Sequence, residues 1–104
     1  MSAYVVSSYE VVDRDQWLAY PSPAIASIQA HGGEMLAADI NSEALEGSAP
    51  SVTVIVKFAD KDAARSWYES ADYQAVAPLR RDNTTGTLVL IDDDIAATAQ
   101  ALGL

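Results

Sequence analysis

Six side chains in this sequence have the type and setting for chemistry: Tyr20, His31, Glu46, Trp67, Tyr73 and Arg80. His31 is the only histidine, and histidine is the side chain that titrates near neutrality. It can act as a general acid or base, or it can close a helix C-terminus and bond free carbonyls there. Glu46, in L-E-G, is a loop carboxylate that either meets His31 or Arg80 in space or stays in water. Arg80 shares one helical face with Tyr73, Val76 and Ala77 by its i, i+3, i+4, i+7 spacing. An arginine on an apolar stripe needs a partner. That partner is a carboxylate of this chain, a carboxylate of a second copy, or an anionic ligand gripped in bidentate fashion. Trp67, Tyr68 and Tyr73 carry large apolar area with one polar tip, which suits core and subunit boundary better than a pocket wall. Tyr20, beside a proline pair, is placed to reach a pocket entrance.

Other chemistry is missing. With one histidine and no cysteine, thiolate and disulfide chemistry are excluded and zinc or haem ligation is poorly supplied. We expect no metal and no cofactor. There is no G-x-G-x-x-G, P-loop or nucleophile elbow. Fifteen acidic residues against six basic ones give a net charge of −9. That balance repels nucleic-acid phosphates and anionic membranes and favours solubility. The first residues lack the basic start and long apolar run of a secretory leader, so the expected location is the cytoplasm.

The 104 residues suit one domain with a thin core. Residues 3–12 read as a strand, rich in Val and Tyr. A short helical segment follows Asp13, and Pro21 and Pro23 are expected to break it. The Ser22-Pro23 pair then opens a second helix, running to Ala30, and His31-Gly32-Gly33 ends it. Residues 34–40 form a strand, 41–50 a polar loop, and 51–58 the strongest strand of the chain. Asp60 caps a helix through Trp67 and Tyr68. Ser70-Ala71-Asp72 starts another, from Tyr73 to about Arg81. A turn at Asn83–Gly86 leads to a last strand, 87–91. The order β-α-β-β-α-β gives an α+β, ferredoxin-like domain over 1–92, with a four-stranded antiparallel sheet and its helices on one face. Residues 93–104 form a helical tail.

Two helices cover only one sheet face, yet both faces here are apolar. Val52, Val54, Val56 and Phe58 alternate with Thr53, Ile55 and Lys57, and Leu88 and Leu90 with Val89 and Ile91. Apolar surface of that extent marks an interface, and a second copy packed sheet to sheet is the economical cover.

The segments A-H-G-G-E-M-L (30–36), L-E-G (45–47), V-K-F-A-D-K-D-A-A-R-S-W-Y-E-S-A-D-Y-Q (56–74) and P-L-R (78–80) resemble the domain of unknown function 1330 family. The resemblance runs from about residue 3 to 91. It implies a dimeric α/β barrel of ferredoxin-like protomers. The chain departs from the family in its two prolines, in the absence of basic residues over 37–51, and in its tail. Relatives in that superfamily include cofactor-independent monooxygenases and isomerases, so fold alone selects no reaction. Three functions follow as expectations. One is a homodimer that binds or converts a small anionic or aromatic metabolite, in a pocket lined by His31, Arg80 and the aromatics. The others are a cofactor-independent monooxygenase- or isomerase-like enzyme and a non-catalytic structural or regulatory homodimer.

Overall fold

The computed structural model describes all 104 residues. Its regular elements are β1 (Ala3–Val11), α1 (Arg14–Trp17), α2 (Pro21–Ala30), β2 (Glu34–Asp39), β3 (Val52–Phe58), α3 (Lys61–Glu69), α4 (Ala71–Arg81), β4 (Thr84–Asp92) and α5 (Ile95–Ala101). The strands form one antiparallel sheet in the order β2-β3-β1-β4. This is the ferredoxin-like arrangement: the two longest ladders flank β1, and the helices sit on one face. The molecule is a slab measuring 47 × 35 × 19 Å.

Helix starts follow local chemistry. Asp13, Asp60 and Ser70 accept bonds from Gln16, Ala63 and Tyr73 backbone N–H groups, satisfying donors that a first turn leaves free. The expected short segment, break and second helix are all present, with α2 starting two residues earlier than the sequence suggested. α2 begins at Pro21, with Tyr20 as its N-cap residue, and takes both prolines into its first turn. The first four N–H groups of a helix have no helical acceptor, so Pro21 and Pro23 sacrifice no bond there.

The second correction concerns β4, which starts at Thr84 and not at residue 87. β1 is nine residues long and pairs with β4 from Ala3↔Asp92 to Val11↔Thr84. The ladder therefore extends through Gly86, which lies opposite Tyr9 with φ +155°. A Cβ there would stand 2.2 Å from the Ser8 carbonyl oxygen and 2.6 Å from Tyr9 Cβ. Only glycine lets the strands meet at this point.

On the helix side, Val5, Ser7 and Tyr9 of β1 lie beside Val56, Val54 and Val52 of β3. Ala24, Ile28, Ala64, Trp67, Tyr73 and Ala77 cover them from α2, α3 and α4. On the opposite face the register lines up Val89, Val6 and Ile55 across three strands, with Ile91 and Tyr4 in the next row. No element of the chain packs over that row, and Val89 and Ile91 remain 44 % and 46 % exposed. The edge strand β2 carries a bulge at Leu36, between the Met35 and Ala37 pairings. α5 is capped by Asp94 and buries none of its residues. No helix is long and apolar enough to cross a membrane.

Candidate ligand cavity

Small residues leave a gap where α2 crosses the sheet. Ser7, Ala24 and Ala38 face one another from β1, α2 and β2, and none reaches far enough to close the space. The resulting cavity measures about 140 Å³. Tyr9, Trp17, Tyr20 and Trp67 wall it with rings, and Val52, Val54, Val56 and Ile28 complete its apolar lining. Pro21, Ile25, Asp39 and Ile40 stand on the solvent side. A second hollow of about 190 Å³ lies between α3 and β4. Nine residues line it against seventeen for the first, so it encloses a guest less completely.

Hydrogen bonds hold the rings. Trp17 Nε1 donates to Tyr9 Oη at 3.2 Å, and Trp67 Nε1 donates to Ser27 Oγ at 3.1 Å. Ser27 in turn donates to the Ala24 carbonyl at 2.7 Å. Tyr20 Oη and Tyr73 Oη lie 2.8 Å apart. Trp67 packs on Tyr73 at a centroid separation of 4.2 Å and on Phe58 at 5.5 Å. Both indole N–H groups are therefore satisfied, and the walls are fixed by polar contacts at their outer ends.

Arg80 stands behind Tyr73. It is 8 % exposed, and its Nε donates to Tyr73 Oη at 3.4 Å, long for a strong bond. The ion pairs of the chain use His31, Lys61 and Arg65; Arg80 joins none. Of the three partners the sequence left open, a carboxylate of this chain is not the one: the Tyr73 phenol stands there instead. Burial opposes the Arg80 charge, but the phenol oxygens of Tyr73 and Tyr20 favour it, and arginine stays cationic. Burial in turn pushes the phenols of Tyr9 and Tyr20 above their ordinary value, with Tyr73 adding to the effect.

The sequence candidates do not meet at one point. Tyr20 and Trp67 line the cavity, while Tyr73 and Arg80 back it through Tyr20. His31 lies outside it, at the C-terminal end of α2, where Nε2 meets Asp72 Oδ1 at 3.0 Å. Asp72 is held below the usual carboxylate range by the Ser70 hydroxyl first and by His31 second. The pair ties the end of α2 to the start of α4. Glu46 is exposed in the loop between β2 and β3 and joins neither His31 nor Arg80. The H-G-G signature has a structural cause. Gly32 takes φ +76°, and a Cβ on Gly33 would fall 2.5 Å from Ile28 Cγ2 and 2.9 Å from the Phe58 ring. Ser7, Tyr9 and Trp17 were missed as site residues. A signal was available for Ser7: it puts a hydroxyl into the inward series Val5-Ser7-Tyr9. No group of three or more His, Cys, Asp or Glu side chains is placed to hold a metal ion.

Solved structures share this architecture. A protein of unknown function from Rhodopseudomonas palustris superposes with a TM-score of 0.70 at 12 % identity, over 88 % of this chain and 82 % of its own. SnoaB of Streptomyces nogalater, a cofactor-independent oxygenase, gives 0.66 at 16 % identity, over 88 % and 92 %. A dimeric protein of unknown function and ferredoxin-like fold from Bacteroides fragilis gives 0.57 at 7 % identity, over 88 % and 96 %. At these identities the likeness concerns the fold alone. A comparison with curated proteins finds no match. The model of the domain of unknown function DUF1330 matches residues 2–93, and the chain belongs to that family.

Proposed function

We propose that the protein is a homodimer in which each protomer binds a small, neutral, ring-containing molecule between α2 and the sheet. The cavity carries this reading. An apolar cavity of about 150 Å³ is enough to hold benzene, and this one has about 140 Å³ with four aromatic walls. Its lining holds no cation, Asp39 stands at its rim, and the net charge is −9. Of the two ligand classes the sequence suggested, this lining favours the aromatic one. The bare sheet face, with Val6, Ile55, Val89 and Ile91 in register, supplies the contact between copies. A structure of the same fold is dimeric, which supports a second copy.

The test uses the protein's own reporters, because both tryptophans line the cavity. Toluene titrated into the protein should change Trp17 and Trp67 emission in a saturable way. Ala38→Phe, which puts a ring into the cavity from β2, should abolish that saturation. An emission response that is linear in toluene, or identical in Ala38→Phe, refutes the reading.

A second reading is cofactor-free oxygenation or isomerisation of the bound ring. Its support is the fold shared with a cofactor-independent oxygenase and a lining of phenols and indoles without acid groups in the interior. Oxygen uptake with quinol-type substrates in metal- and flavin-free buffer tests it; dependence on an added cofactor counts against it. A purely structural or regulatory dimer calls for a filled interior, and the cavity of about 140 Å³ speaks against that.

A further inference from the structure

Ser7 is a buried hydroxyl in the inward series of β1. It is 8 % exposed and sits on the middle strand of the helix-covered face, opposite Val54 on one side and Leu88 on the other. Its hydroxyl makes no hydrogen bond within the protein, and the residue lines the cavity. The next inward residue, Tyr9, is 4 % exposed. Its oxygen receives the Trp17 N–H, and its own proton finds no acceptor in the chain. The Ser7 hydroxyl and the Tyr9 proton thus have no acceptor in the chain, and both residues line an otherwise apolar space. Valine is the rule on this face, so position 7 carries a hydroxyl, open to the cavity, that packing of the sheet does not require.

We propose that the Ser7 hydroxyl, assisted by Tyr9, is a polar subsite that donates to an oxygen acceptor on the bound ring. The ligand class is therefore an aryl carbonyl compound and not a bare hydrocarbon. The argument rests on the cavity being a ligand site, and it adds which end of the ligand points at β1. The carbonyl lies against the sheet, and the ring faces Trp17, Tyr20 and Trp67. Tyr9 favours an acceptor over a donor, because its oxygen already receives a bond and only its proton is free.

The test compares two probes of nearly equal shape, acetophenone and α-methylstyrene, which differ by an oxygen in place of a CH₂. Dissociation constants are measured by ligand-observed NMR for the native chain, Ser7→Ala and Ser7→Thr. Ser7→Ala should weaken acetophenone about three- to tenfold and leave α-methylstyrene within twofold. Ser7→Thr keeps the hydroxyl and should restore the native ratio. Binding of α-methylstyrene with a probe ratio that Ser7→Ala does not change overturns this inference and leaves the cavity reading standing. If neither probe binds the native chain, both fall together.

Discussion

Replacing Val89 with aspartate probes the contact between copies most directly. Val89 is 44 % exposed in the protomer and lies in the row Val89–Val6–Ile55. Fully burying a valine stabilises by about 1.5–3 kcal/mol, so covering the exposed remainder is worth about 1 kcal/mol. Two-fold symmetry presents the residue twice, which makes about 2 kcal/mol lost on removing it. The aspartates add to this, since burying an unpaired carboxylate costs more than the valine gained. Dissociation should therefore strengthen at least ~30-fold, at 1.4 kcal/mol per factor of ten. Sedimentation equilibrium over a dilution series reads the change. Circular dichroism should show the folded protomer intact, because Val89 faces away from the helices. A native chain that is monomeric at micromolar concentration, or a dimer indifferent to Val89→Asp, would refute the sheet-to-sheet packing.

Other outcomes follow from the same geometry. Both protomers carry −9, so raising salt from low to physiological levels should tighten the dimer; a dimer that loosens with salt speaks against apolar contact. Gly86→Ala meets the Ser8 carbonyl oxygen at 2.2 Å and a positive φ, and should cost on the order of 3 kcal/mol in urea unfolding. The phenols of Tyr9 and Tyr20 lie above their ordinary 10.0 in the fold. The unfolded chain then loses those protons first, so stability should be fully present below pH 10 and fall as pH rises beyond it. Tyrosine absorbance should show those two groups titrating above pH 10 in the folded protein. Glu10 is held below its ordinary 4.5 by the Ser51 side chain and backbone N–H, so its contribution should be present above pH 4.5 and be lost as pH falls through the depressed value, and Glu10→Gln should flatten that limb of a denaturation series. His31→Ala should leave toluene binding unchanged; a loss would place His31 in the site after all.

Much of the fold was legible because it depends on local periodicity. The alternation of Val52 to Phe58 and the cap at Asp60 each specify an element within a few residues. The errors arose where the answer depends on distant partners. Pro21 and Pro23 mark the break between α1 and α2, but its far edge lies two residues earlier than Pro23, because a helix's first turn spends no N–H groups on itself. Gly86 looks like a turn residue until Tyr9 is known to cross it. In the cavity, the helical stripe of Tyr73, Ala77 and Arg80 is all buried, as its spacing implied. Arg80's hydrogen-bond partner, Tyr73, lies on that same stripe; what was invisible is Tyr20, 53 residues from Tyr73, whose phenol joins them. His31 drew attention by its chemistry, while its role follows from where α2 ends. Ser7 is the reverse case: an unremarkable residue type whose meaning comes from the face it occupies.

The thinness of the slab governs how quickly a guest can come and go. A body 19 Å deep has its helix and sheet layers only about 10 Å apart, so any space between them lies a single layer from bulk water. Entry then needs no large opening motion, and side-chain rotations at the rim, on the nanosecond scale, suffice. Residence time is left to the quality of the fit, and a reactive species formed inside would have little to shield it from solvent.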